Sequence, residues 1–126
     1  MTLSIDVLKK ALPNKYKRGL SQEVLDNINQ TLSDPDLHEV YRNNFMSYLT
    51  VLGDGKYKIT DYLSAVKYCT HKLMGNSNID SYIKTFPDRY GDMLARGLSA
   101  KEISSIVSIY NKGKLVNTIM EQSIIP

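Results

Sequence analysis

Apolar residues recur at three- and four-residue intervals along nearly the whole chain, from Val7, Leu8, Ala11 and Leu12 near its start to Leu115, Val116, Ile119 and Met120 near its end. That spacing gathers side chains on one face of a helix turning every 3.6 residues, whereas the faces of a strand alternate at every second residue. The stretch Lys56-Tyr57-Lys58-Ile59 does alternate, but it is too short to claim a strand pair and predicts at most a brief extended segment. The expected class is all-α: a compact multi-helix domain.

Capping and turn chemistry sets the expected boundaries. A first helix over Leu3 to Leu12 ends at Pro13 and Asn14. Ser21 caps a second, with Val24, Leu25, Ile28 and Leu32 on one face. A third starts with Asp34 as cap, Pro35 as first helical residue and Asp36 and Glu39 in the electropositive first turn, and runs to about Leu52. Gly53 to Lys56 is a turn. A fourth helix opens at Ile59 or Thr60, with Tyr62, Leu63, Val66, Cys69 and Leu73 on one face and Lys67 and Lys72 outside it. Gly75 suits the left-handed position that follows a helix. From Asn78 a short fifth helix turns Ile79, Tyr82, Ile83 and Phe86 inward until Pro87 stops it, because the residue before proline is pushed out of the helical region. Asp88 is placed to cap a further turn or two, through Met93 and Leu94 to Gly97. Ser99-Ala-Lys-Glu102 has the form of a capping box, followed by a buried stripe of Ile103, Ile106, Val107 and Tyr110. Gly113 interrupts, and a last helix follows.

A chain of 126 residues suits one domain and buries roughly two-thirds of its unfolded surface. Its one cysteine, Cys69, has no internal partner, and no signal-peptide or membrane-spanning run is present, so the chain reads as cytoplasmic, with no membrane contact. Net charge is +3 with a pI near 8.9, which suits nucleic acid without requiring it. The distribution is uneven. Between Val7 and Gln22 stand Lys9, Lys10, Lys15, Lys17 and Arg18 with no acid, and from Gly19 to Tyr41 stand Glu23, Asp26, Asp34, Asp36 and Glu39 with no Lys or Arg. Residues 1–20 are then either a basic arm for a phosphate backbone, through Lys15, Lys17 and Arg18, or one of two solvated segments that attract each other. The ending Ser123-Ile124-Ile125-Pro126 is apolar for a terminus, which suggests a longer parent chain or an oligomerisation surface.

Catalytic chemistry finds little support. His38 and His71 are the two histidines; His38 sits in an acidic helix start, and Cys69 and His71, two apart on a helix, point to different faces. A core cysteine beside a surface histidine is expected. No Walker-type loop, zinc-protease motif or calcium loop occurs. No enzyme and no cofactor are expected.

Binding chemistry is better represented. Leu73 to Tyr90, LMGNSNIDSYIKTFPDRY, runs from a helix end through a polar turn into a short amphipathic helix, the order of a helix-turn-helix, whose second helix enters the major groove. Asn76, Ser77, Asn78 and Ser81 stand at that helix start, Lys84 and Thr85 one turn on, and Arg89 beyond the proline. These side chains suit base edges and phosphates, with Lys67 and Lys72 on the preceding helix. The same residues also serve as ordinary turn and capping groups. A second unit with this order spans Arg89 to Lys114, with Lys101, Lys112 and Lys114 near its ends, and the helix-turn-helix-like region as a whole covers 60–126.

Across about Asp61 to Pro126, the runs YLSAVKYCTHKLMGNSNIDSYIKTFPDRY and SIYNKGKLVNTIMEQSIIP resemble the N-terminal portion of terminase small subunits of tailed bacteriophages. The resemblance implies a helical domain that recognises the viral genome for DNA packaging, with Asn76, Ser77, Asn78, Ser81 and Lys84 lining the DNA-facing helix. It also implies a homo-oligomeric ring and a large ATPase/nuclease subunit as partner, although no long ring-forming helical region follows in this chain. The resulting expectation is a non-catalytic module that binds double-stranded DNA. A replication initiator's origin-binding domain and a transcription regulator would show the same residues, and a helical protein-protein assembly module is the rival from another class.

Overall fold

In the computed structural model the described residues are 57–124, together with Gln22, Asp26, Asn29 and Gln30, which are helical. Those four fall within the helix expected at 21–32; the rest of that helix, the helices expected at 3–12 and 35–52, and the arm residues Lys15, Lys17 and Arg18 lie outside the described residues. Residues 57–124 form five helices and no strand: α1 Ile59–Leu73, α2 Asn78–Thr85, α3 Pro87–Ala95, α4 Ala100–Asn111 and α5 Lys114–Ile124. The chain divides into two compact units, Met1–Val66 and Lys67–Pro126, so the boundary falls within α1. No helix among the described residues is long and apolar enough to cross a membrane.

Two turns in the second unit are built alike. At the end of α1, Gly75 N–H donates to Lys72 O and Asn76 N–H to His71 O; at the end of α3, Gly97 N–H donates to Leu94 O and Leu98 N–H to Met93 O. Both glycines take positive φ, +100° and +76°, where a side chain would be strained. Two residues later a serine caps the next helix: Ser77 Oγ accepts from Asp80 N–H and Ser99 Oγ from Glu102 N–H, both at 3.1 Å. Only the second closes into a full capping box, with Glu102 Oε1 accepting from Ser99 N–H at 3.0 Å. These bonds hold the Glu102 carboxyl below the usual carboxylate range.

The joint between α2 and α3 is a single residue. Phe86, at φ −126° and ψ 62°, ends α2 and begins α3, with its N–H donating to Tyr82 O and its carbonyl accepting from Tyr90 N–H. Helix α3 therefore starts at Pro87 rather than at an Asp88 cap, because proline's fixed φ suits a first helical position whose N–H would be unpaired anyway.

Tyr110 of α4 is the hub of the second unit. Its ring lies 5.0 Å from Tyr68, 5.6 Å from Tyr82 and 5.2 Å from Phe86, all edge-on, and Tyr82 and Phe86 stand 4.9 Å apart. Edge-to-face contacts of this kind add about 0.5–1.5 kcal/mol each beyond area burial. Met93, Ile103, Val107, Val116 and Ile119 complete the core. Helix α1 is not a one-stripe helix there. Ala65, Val66, Tyr68, Cys69, Thr70 and His71 are all buried, so burial runs round its circumference, and His71 at 6% exposure is a core residue rather than the expected surface one. Leu73 and Ile79, expected inside, are exposed at 47% and 37%, because they flank the turn rather than face Tyr110.

Two predictions follow from this packing. Replacing Ser99 by Ala should cost about 1 kcal/mol, and Gly97 by Ala about 1–2 kcal/mol, in urea unfolding; an unmoved midpoint for both would contradict the capping and turn assignments. Burial pushes Tyr68 from 10.0 to about 12, the Cys69 thiol from 9.0 to about 12, and Tyr110 higher still. The unfolded chain then loses these protons first. Stability should be level below about pH 9 and fall progressively towards pH 12, as followed by circular-dichroism melting; a Tm unchanged to pH 11 would refute it.

Candidate nucleic-acid interface

The structure uses up several of the side chains expected to face DNA. Asn76 is bound at both ends of its amide: Nδ2 donates to His71 O at 3.0 Å and Oδ1 accepts from Lys84 Nζ at 3.0 Å. Ser77 is spent as the α2 cap. Ser81 is fully buried, so it does not line the exposed face of α2, and its hydroxyl has no hydrogen-bond partner in its buried position. It stands one turn from the helix start, on the side that carries Tyr82 towards Tyr110. Thr85 Oγ1 donates back to Ser81 O at 2.7 Å. Asn78 and Lys84 remain exposed, alongside the exposed acid Asp80. Arg89 lies over the Phe86 ring with its guanidinium carbon 4.1 Å from the centroid.

Charge then distinguishes the faces. Residues 67–126 hold eight Lys and Arg against five Asp and Glu, while residues 1–66 hold eight of each, so the second unit carries the whole net charge of +3. Within that unit, α2 balances Lys84 against Asp80. Along α3 and its C-cap, Arg89 and Arg96 alternate with Asp88 and Asp92, and Arg96 pairs with Asp92 at 3.6 Å. The groove of about 410 Å³ beside α3, floored by Met93 and Ile106, is rimmed by these four charges and is neutral overall.

The turn from α4 to α5 differs. Lys112 and Lys114 are exposed there, and α5 has no acid in its first turn. The turn is stiff: Asn117 Nδ2 donates to Lys112 O at 2.8 Å and Gly113 O at 3.0 Å, and a Cβ on Gly113 would come within 3.1 Å of Tyr110 O. Lys72, from the last turn of α1, joins it: its Nζ donates to Asn111 Oδ1 at 2.7 Å and stands 5.8 Å from the Tyr68 ring centroid. The same Oδ1 accepts from Tyr68 OH at 2.8 Å. Lys72 was anticipated from the sequence, and Lys112 and Lys114 belonged to its second helix-turn-helix candidate, but Asn111 was missed. Its partners lie 39 and 43 residues away, and the only local hint is an asparagine at a helix end beside two lysines. Lys67 is half-buried, five residues before Lys72 on α1.

Replacing Ser81 by Ala should leave DNA binding unchanged and raise stability by up to about 1 kcal/mol, since it deletes a buried unpaired hydroxyl; weaker binding at unchanged Tm would return Ser81 to the interface. No protein-family model, curated protein or solved structure matches this chain.

Proposed function

We propose that the unit formed by residues 67–126 is a non-catalytic module that binds double-stranded DNA, with its phosphate-facing surface at Lys72, Lys112 and Lys114. The observation that carries this reading is charge segregation: the unit holds the entire net charge, and the α4–α5 turn carries Lys112 and Lys114 with no acid in the first turn of α5, whereas α2 sets Asp80 against Lys84 and α3 with its cap sets Asp88 and Asp92 against Arg89 and Arg96. A cluster of lysines on a stiff turn suits a polyanion, because each phosphate neutralised releases condensed counterions. Exposed Asn78 and Lys84 at the α2 face, together with Arg89 on α3, are a second, weaker contact region. As the biological role we favour recognition of a viral genome for packaging, with a homo-oligomer and a large ATPase/nuclease subunit as partners; this rests on the resemblance to terminase small subunits alone.

One observation favours a different class. Leu73, Met74, Ile79, Leu94 and Ile109 are exposed, Ile109 at 73%, and such residues suit a protein-protein assembly surface. Salt separates the two readings. Fluorescence anisotropy with random and genomic duplexes at two salt concentrations should show affinity falling steeply with salt, whereas an apolar protein contact weakens far less. Replacing Lys72, Lys112 and Lys114 together by Ala should reduce the slope of log affinity against log salt by about 2–3. Replacing Lys84 and Arg89 together should reduce it by less. The reverse order would move the DNA face to α2, and no binding by the unaltered protein at low salt would leave the assembly reading in place.

A further inference from the structure

Asn111 is held in one orientation by chemistry alone. A lysine ammonium has protons to donate and no lone pair to accept with, so the amide atom 2.7 Å from Lys72 Nζ is the oxygen. Tyr68 OH donates to that same oxygen at 2.8 Å. Both bonds come from α1, and Asn111 is the last residue of α4, so the amide is fixed between two helices. Its Nδ2 accordingly points away from both donors. That NH2 group has no hydrogen-bond partner among the described residues, and it is not among the buried unpaired atoms either, which leaves it open to solvent.

The result is a two-proton donor of fixed direction, half-buried, with Lys72 bonded to its oxygen and Lys112 next to it in the chain. An NH2 group turned to solvent donates to water or to an acceptor that displaces it, and the surrounding cations favour an acceptor that is negative. Phosphate oxygens of a nucleic-acid backbone meet both demands. Building on the DNA-binding reading above, we infer that the Asn111 amide donates to a backbone phosphate of duplex DNA, while its oxygen holds the Lys72 ammonium beside the same phosphate. Tyr68 acts as a positioning residue: it touches no DNA and fixes the direction of the amide.

Replacing Asn111 by Asp tests this directly. The carboxylate keeps an oxygen for Tyr68 OH and Lys72 Nζ but turns the free donor into a negative acceptor. Ser105→Asp places the same charge on the exposed middle of α4 and serves as control. Duplex affinity at low salt should drop about tenfold or more for Asn111→Asp and no more than about threefold for Ser105→Asp, with melting temperatures near that of the unaltered protein. Tyr68→Phe keeps the ring against Tyr110 and removes one of the two donors to the amide oxygen, so that Lys72 alone, on its flexible stem, sets the amide's direction. It should lower affinity about two- to threefold with an unchanged salt slope, because no charge is lost. Equal losses for the two Asp variants, with unaltered protein binding DNA, would overturn the Asn111 contact and leave the DNA-binding reading standing. Tyr68→Phe binding at full strength would overturn the positioning role. Failure of the unaltered protein to bind would instead remove the reading on which the contact rests.

Discussion

The ring of Tyr110 is the contact on which the second unit depends. One side chain of α4 touches Tyr68 on α1, Tyr82 on α2 and Phe86 at the joint of α2 and α3, so four helices are registered against a single group. The energy is mainly burial of large rings, with directionality added by their edge-to-face preference. Registration carries further because Asn111 is the next residue along. Wherever Tyr110 is held, Asn111 is delivered to Tyr68 OH and Lys72 Nζ, and the α4–α5 turn with its lysines follows.

The turns around this hub divide into two kinds. Those after α1 and α3 repeat one solution: a glycine of positive φ ends a helix, and a serine two residues on caps the next. Their polar side chains are occupied in making the turn, and this is why the Asn-Ser-rich stretch at Asn76 to Asn78 offers DNA fewer free groups than its composition suggests. Gly113 works differently, by leaving space beside the Tyr110 carbonyl, and the cap-like bonds come from Asn117 further on. The side chains of Lys112 and Lys114 are thereby left out of the turn's own hydrogen bonding.

Within the described residues the fold was largely legible in the sequence, and the site was legible in part. Helix starts and stops follow local chemistry, so Ile59, Asn78, the Phe86–Pro87 break and the Ser99–Glu102 box could be read from a few adjacent residues. Burial is another matter. His71 and Ser81 are polar by type and buried by tertiary packing, while Leu73 and Ile79 are apolar and exposed, because the helices meet on Tyr110 and not on the face that periodicity marks out. The Tyr68–Asn111–Lys72 arrangement had no local signature, since its members come together only when α1 and α4 pack.

Acids elsewhere among the described helices obey a simple rule. Asp61, Asp80, Asp88 and Glu102 stand in the first turns of α1 to α4, where each helix presents unpaired N–H groups and a partial positive charge. Those acids are thus committed to helix starts and compensate cations near them. Helix α5 breaks the rule, opening on Lys114 with no acid in its first turn, so that the positive end of a helix, Lys112 and Lys114 are left together. Placing cations at that end costs stability, by a few tenths of a kcal/mol to about 1 kcal/mol. Among the five helices α5 alone opens on cations with no compensating acid, and the side-chain bonds at its start come from Asn117 instead.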